Sequence, residues 1–350
     1  MRNVKIAIWG FGAMGSGMGK MLLSKKGVEI VGVCDRHEAR VGKSIFEILN
    51  VEKGNHPEVI VNSNIEEVVK DANCDLVLCA TDSFTKAAFP RLKYCLEQKV
   101  NVISTAEEMA YPQAQNPELA KELNEIAKAN GVSILGTGIN PGLIMDLLVV
   151  CLTGCMTDVE HIEAKRVNSL SPFGHAVMEE QGVGITVDEF NKGVEEGTLA
   201  GHVGFSESIN MIGDAIGWKV QKIEQQMKPI VTTVDRKSPY GFAKAGNVAG
   251  VNMTGQGYVD GENKIDMIHP QQIEPEMEGT YTGDYITIKG TPEVSMAIKP
   301  EVDGGLGTIA MCVNMIPHVI NAAPGLKTMI DLPVPRAIMG DVRELVNINE

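Results

Sequence analysis

The residues best placed to do chemistry begin at Gly10-Phe11-Gly12-Ala13-Met14-Gly15, which fits G-x-G-x-x-G. Alone, that motif is weak. Here it follows an apolar run, Val4–Trp9, and precedes a helix-compatible stretch at 18–24. A second apolar run, Val28–Cys34, then ends at Asp35. Strand, glycine turn, helix, strand and acid is the order a dinucleotide needs, with the acid about 20 residues past the last glycine. Gly10 permits a tight turn, Gly12 lets backbone approach a pyrophosphate, and Gly15 lets the helix pack close to the strand. The N–H groups that open the helix then face the anion. A glycine turn that binds nothing is the alternative, and the flanking order argues against it.

Asp35 is placed to accept hydrogen bonds from ribose hydroxyls, which favours NAD. Arg36 and Arg40 are placed to hold a 2′-phosphate, which favours NADP, so NAD or NADP stays open. Ligands of open α/β sheets bind beyond the carboxyl ends of strands. That rule selects Ala80, Thr81 and Ser83 after one apolar run, and Ser104 and Ala106 after another, as further cofactor contacts. Glu107 and Glu108 come next. A carboxylate there can act as a general base or bind an ammonium; equally, the pair can complement a helix dipole. Further on, Arg166 and Asn168 suit capture of a carboxylate. His202 and His269 stand in polar or apolar spots that, singly, read as structural. No G-x-S-x-G, H-E-x-x-H or P-loop is present, which removes support for hydrolase and phosphotransferase chemistry.

The elements that must position these residues alternate strand and helix. Apolar runs at 59–62, 75–81, 100–105 and 132–136 are separated by helical stretches at 64–71, 84–98 and 117–130. This predicts an α/β fold, a Rossmann-type doubly wound parallel sheet over 1–140. After Gly136-Thr137-Gly138-Ile139-Asn140-Pro141-Gly142 the alternation weakens. Strands are expected at 159–167, 225–234 and 285–288, and helices at 177–199 and 205–218. Segments 246–259 and 281–289 suggest an antiparallel sheet. We read 141–304 as a second, α+β substrate domain. An apolar helix at 308–323, after a glycine run at 304–307, lets 305–350 complete the first domain.

The 350 residues are 44% hydrophobic and 22% charged, with formal net charge −14. Acidic bulk excludes nucleic acid and anionic membranes as partners. Seven scattered cysteines without a C-x-x-C pair read as reduced thiols in a cytoplasmic protein. Cys151 and Cys155 are assigned to core packing, and no metal site is expected. The N-terminus enters a strand at once, with no signal peptide, and no apolar run is long enough to span a bilayer.

Several blocks carry a resemblance: GFGAMGSGM at 10–18, CATDSFTKAAF at 79–89, NVISTAEEMAYP at 101–112, GTGINPGLIMDLL at 136–148, RVNSLSPFG at 166–174, EEQGVGITVDEFNKGVEEGTLAGHVGFSES at 179–208 and DGGLGTIAMCVNMIPHVINAAPGL at 303–326. On these the chain resembles the 2,4-diaminopentanoate dehydrogenase family over nearly its whole length. The broader fold looks like that of dihydrodipicolinate reductase and meso-diaminopimelate dehydrogenase. The resemblance implies NAD(P)-dependent oxidative deamination at C4 of a small diamino acid, giving 2-amino-4-oxopentanoate and ammonia in ornithine degradation, with reductive amination in reverse. It carries a catalytic glutamate onto Glu107 or Glu108. It carries substrate contacts onto Asn140, Arg166, Asn168, Met178, His202, His269 and Thr308. A homodimer is the ordinary expectation for such enzymes.

Two alternatives compete. Another reductase of the dihydrodipicolinate reductase-like fold would carry an adjacent His-His, and a sugar dehydrogenase would carry Glu-Lys-Pro; the chain has neither, reading Glu107-Glu108-Met109 instead. A non-catalytic NADP-sensing regulator would not need polar strand ends in both domains.

Overall fold

The computed structural model describes residues 1–347. Two compact units divide the chain: unit 1 is Met1–Leu143 with the chain from Asp303 onward, and unit 2 is Ile144–Val302. The last three residues of the expected 305–350 segment, 348–350, lie outside the described residues.

In unit 1 the strands are β1 (Val4–Trp9), β2 (Val28–Cys34), β3 (Val61–Asn62), β4 (Leu76–Cys79), β5 (Asn101–Ser104) and β6 (Ser133–Gly136), with a late strand at Gly325–Lys327. They form one seven-stranded sheet in the order β3-β2-β1-β4-β5-β6 followed by Gly325–Lys327. All its pairings are parallel. This is the Rossmann-type doubly wound sheet that the strand–helix alternation predicts. Every residue of β4 and β6 is buried, as strands covered on both faces require. The order reverses between β1 and β4, so the carboxyl ends of these two strands border one crevice.

The first helix spans Ala13–Leu23, starting well before the expected residue 18. Glycines 15, 17 and 19 argue against a helix by propensity, but close packing overrides it. A Cβ on Gly15 would sit 1.8 Å from the Gly10 carbonyl oxygen, and one on Gly17 2.2 Å from Ile309. The expected helix at 308–323 opens earlier, at Gly304, because the Asp303 carboxylate caps it by accepting the Leu306 N–H at 2.7 Å. It stops at Asn314 and resumes as Ile316–Ile320, with Pro317 in the first turn of the second piece.

The strands of unit 2 are β7 (Asp158–Ser169), β8 (Val220–Val231), β9 (Arg236–Lys237), β10 (Phe242–Ala243), β11 (Val248–Val259), β12 (Glu262–Gln272), β13 (Gly283–Thr291) and β14 (Val294–Ile298). β9 and β10 make a small ribbon, and the rest form a sheet in the order β14-β13-β7-β12-β11-β8. The segments expected in an antiparallel sheet, 246–259 and 281–289, do pair antiparallel with their neighbours as β11 and β13, while β12, which the sequence did not announce, runs parallel to β7. Consecutive strands β12 and β13 flank β7 on either side and run in opposite directions, so one of them has to be parallel to it. The single helix expected at 177–199 is two, His175–Glu180 and Val187–Glu196. Gly182 (φ 69°) and Gly184 (φ 92°) separate them in left-handed conformations that no helix continues.

Cys151 and Cys155, assigned to the core from sequence, are exposed. Cys151 lies on the helix Leu147–Thr153, which buries Leu147 and Val149 instead, and Cys155 follows its end. Among the described residues no helix is long and apolar enough to cross a membrane.

Candidate active site

The glycine turn joins β1 to the helix Ala13–Leu23. Gly10 has φ 90°, and a Cβ there would lie 2.4 Å from the Ala80 carbonyl oxygen at the end of β4. A Cβ on Gly12 would meet nothing within 4 Å, so open space lies in front of the helix N-terminus. Asp35 follows β2 directly and is buried. Its carboxylate accepts the Phe11 N–H at 2.5 Å and the His37 N–H at 2.7 Å, and Arg40 lies 3.3 Å away. Burial works to raise the Asp35 carboxyl, but these donors outweigh it and hold it below the usual range. A pocket of about 260 Å³ opens here, lined by Gly10, Gly12, Asp35, Arg36, Arg40, Ala80, Thr81 and Arg91. Clearance at Gly12, a fixed acid and cationic walls fit a dinucleotide.

The strand-end residues behave differently from one another. The Ser104 hydroxyl accepts the Ala106 N–H at 3.2 Å, and Thr81 donates to Asp82 at 2.6 Å. Asp82 is also ion-paired with Arg91 at 2.7 Å. The sequence reading missed Arg91, which sits inside the helix Thr85–Glu97 and has no motif signal. Arg36 makes no hydrogen bond or ion pair among the described residues and is exposed.

Glu107 and Glu108 open a short 3₁₀ turn, Glu107–Ala110, after β5. The turn packs so tightly on the end of β6 that a Cβ on Gly136 would lie 2.1 Å from the Met109 carbonyl. Here the adjacent acids part company. The Glu108 carboxylate accepts the Thr85 N–H at 2.7 Å and the Asn116 amide at 3.0 Å. It therefore caps the helix Thr85–Glu97. The Glu107 carboxyl is pushed up, chiefly by burial and also by the Glu108 charge, against the pull of its own N–H and the Ser83 hydroxyl. That is the environment of a proton acceptor. Thr308, expected to touch substrate, accepts the Ile139 N–H at 3.2 Å and braces the loop that carries Asn140.

In unit 2, Arg166, Asn168 and His269 come together on one face of the sheet. Met253 pairs with His269 across β11 and β12, and Arg166 pairs with Asp284 across β7 and β13. His269 Nδ1 lies 2.7 Å from the Arg166 carbonyl oxygen. A carbonyl only accepts, so Nδ1 carries the proton and Nε2 keeps its lone pair. The His202 ring meets the His269 ring edge-on at 4.8 Å. Burial, aided by the Arg166 charge, pushes His202 down to about 3, and burial holds His269 well below the ordinary range. Both rings are therefore neutral.

Arg166, expected as a clamp for substrate carboxylate, is only 2% exposed and already paired. It donates to Asp284 Oδ1 and to the Val302 carbonyl, both at 2.5 Å. Asp284 was missed because it lies far along the chain, on β13. Met178 is not gathered with the histidines. It packs in an apolar cluster with Leu170, Ala243, Ala249 and Ile273. Among the described residues no group of three His, Cys, Asp or Glu side chains could hold a metal ion.

Comparison with known proteins bears on this arrangement. Residues 4–135 match the dihydrodipicolinate reductase N-terminal family, and residues 143–348 match the 2,4-diaminopentanoate dehydrogenase C-terminal domain. The chain is 65% identical to a 2,4-diaminopentanoate dehydrogenase of Acetoanaerobium sticklandii, over 99% of this chain and 98% of that protein. Its fold is similar to a solved amine dehydrogenase from Mycobacterium smegmatis, with TM-score 0.85 at 27% identity, covering 96% of this chain and 98% of that one. A myo-inositol dehydrogenase from Lactobacillus casei, solved with NAD(H), shares the fold alone at TM-score 0.55 and 12% identity, covering 94% and 89%. The chain is thus an oxidoreductase acting on amines, with NAD or NADP as cofactor. With the glycine turn, the raised Glu107 and matches along both units, it belongs to the 2,4-diaminopentanoate dehydrogenase family.

Proposed function

We propose that the protein oxidatively deaminates 2,4-diaminopentanoate at C4, giving 2-amino-4-oxopentanoate and ammonia, and aminates in reverse. The observation that carries this reading is Glu107, a half-buried carboxyl of raised pKa in the turn that follows β5. NAD or NADP supplies the hydride acceptor when bound to Gly10–Gly15, Asp35 and the strand ends.

The chain's own residues handle the protons. An ammonium has no lone pair to support loss of hydride, so the substrate amine must first be neutral. The Glu107 carboxylate binds the ammonium and takes its proton. Glu107 then gives this proton up to solvent, and after hydride has left C4 the restored carboxylate takes a proton from the water that adds to the substrate iminium. Its raised pKa brings it closer to the working pH, where a general base is most effective. Ser83 fixes the carboxyl from one side.

In the same reading the enzyme is a cytoplasmic homodimer of ornithine degradation. All seven cysteines are free thiols, which supports a reducing compartment. A two-fold dimer is the commonest oligomer. The test is to follow nicotinamide reduction with 2,4-diaminopentanoate, simple amines, hydroxy acids and sugars. We expect turnover with 2,4-diaminopentanoate well above the rest. Turnover confined to an alcohol substrate would overturn the reading.

A further inference from the structure

Among the described residues, three arginines line the pocket beside the glycine turn, and they are held in three different ways. Arg36 is exposed and makes no hydrogen bond or ion pair among those residues. Arg40 lies 3.3 Å from the Asp35 carboxylate. Arg91 comes from the helix Thr85–Glu97 and is anchored by one nitrogen. Its Nη1 donates to Asp82 Oδ2 at 2.7 Å and to the Ala87 carbonyl at 2.8 Å. Among the described residues, its Nη2 and Nε make no hydrogen bond. Asp82 is fixed in turn, because the Thr81 hydroxyl donates to the same Oδ2 at 2.6 Å. The Arg91 side chain is 20% exposed and that of Asp82 18%.

This ion pair decides what Arg91 can recognise. A phosphate brought to its guanidinium meets the Asp82 carboxylate one hydrogen bond away, and the repulsion offsets much of the attraction. The pair occupies only one edge of the guanidinium, and the planar face stays available. Guanidinium planes stack on aromatic rings. A side chain that is already anchored also loses little freedom when a ligand settles on it. A nicotinamide dinucleotide has two flat rings. The one attached to the ribose that the acid after β2 holds is the adenine, and Asp35 is that acid. Trp9, 9% exposed at the end of β1, lines the same pocket and gives it an apolar surface.

We propose that Arg91 is a specificity-determining residue for the cofactor, recognising the adenine by stacking its guanidinium plane on the ring while Asp82 holds its edge. Arg91 then serves NAD and NADP alike, and only Arg36 reads the 2′-phosphate. The inference rests on a nicotinamide dinucleotide as cofactor and is independent of which amine is oxidised.

The experiment uses Arg91→Lys, which keeps the charge for Asp82 and removes the plane, and Arg91→Ala, which removes both. NADH and NADPH are titrated by fluorescence. ADP-ribose, which keeps the adenosine half and lacks the nicotinamide, is titrated by calorimetry. Both variants should bind all three ligands more weakly by a common factor of about five to thirty, the weight of a cation stacked on an aromatic face in a partly covered site. The melting temperature of Arg91→Lys should stay near that of the unmodified protein. Unchanged affinities in Arg91→Lys would overturn the proposal, because the plane would then carry nothing. Weaker binding of NADPH alone would also overturn it, since that reports a contact to the 2′-phosphate. So would a clear drop in the melting temperature of Arg91→Lys alongside the weaker binding, since that reports a structural role. If the unmodified protein binds neither NADH nor NADPH, the cofactor reading falls. ADP-ribose then decides Arg91 by itself: weaker binding in both variants upholds the adenine contact, and unchanged binding, or none in the unmodified protein, overturns it.

Discussion

The Glu108 carboxylate accepts the Thr85 N–H at 2.7 Å, the first free donor of the helix Thr85–Glu97. This bond separates two adjacent acids by function. Glu108 holds the start of a helix, and Glu107 remains the carboxyl whose proton affinity is raised. Glu108→Ala should therefore cost about 0.5–2 kcal/mol of stability, as loss of a helix cap does. Glu108→Gln keeps an acceptor oxygen and should keep most of the turnover. Thermal denaturation of both variants, beside their kcat, checks this; a large loss of kcat in a fully stable Glu108→Gln protein would contradict it.

The pH dependence follows from Glu107. Its base form must be ionised, and burial first, then Glu108, moves its pKa above the ordinary value of 4.5. Activity should rise with pH through that raised value and level off. His202, near 3, and His269, lower than usual, add no limb around neutrality. Stability has the opposite sign. A raised folded-state pKa gives stability that is fully present below the unfolded value and lost as pH rises through the folded one. Glu107→Gln should thus be at least as stable as the unmodified protein at neutral pH, and less favoured relative to it in acid. Melting curves across pH, beside a kcat profile, test both signs.

Cofactor choice turns on Arg36. Arg40 is tied to Asp35 and Arg91 to Asp82, whereas Arg36 is unpaired at the same pocket. NAD and NADP should both be accepted. Arg36→Ala should weaken NADP alone by about ten- to a hundred-fold, the loss of one charge-assisted bond to the 2′-phosphate. Equal weakening of both cofactors, read by titration, would count against this assignment.

Arg166 is a structural cation before it is anything else. Its pair with Asp284 is buried on both sides, at 3% and 1% side-chain exposure. Burial raises the Asp284 carboxyl despite the Arg166 charge, so the acid is costly to leave alone. Arg166→Met should destabilise by about 3–5 kcal/mol. Arg166→Met combined with Asp284→Leu should recover much of it. If the single variant melts normally and only KM changes, Arg166 faces the substrate instead.

The sheet of unit 1 was legible because parallel, twice-covered strands are continuous apolar runs, and the glycine turn falls between two of them. β12 was not, since Pro270 interrupts its alternation and His269 and Gln271 occupy buried positions. The helix at Ala13–Leu23 was legible only in part, because its glycines answer to contacts with Gly10 and Ile309 that no local pattern contains. Glu107 and Glu108 were found by position, but neighbouring acids of one type carry no sequence mark of which one caps Thr85. Arg166 was found as a cation, while its partner Asp284 comes from a strand more than a hundred residues later.

The central claim is that Glu107 is the base of an amine oxidation. The direct measurement is kcat for 2,4-diaminopentanoate in Glu107→Gln and Glu108→Gln, with affinity for the reduced cofactor measured alongside by fluorescence. Loss of a general base costs about a hundred- to ten-thousand-fold. The account predicts that loss for Glu107→Gln, with cofactor affinity unchanged and Glu108→Gln near normal. Near-normal turnover in Glu107→Gln would contradict it.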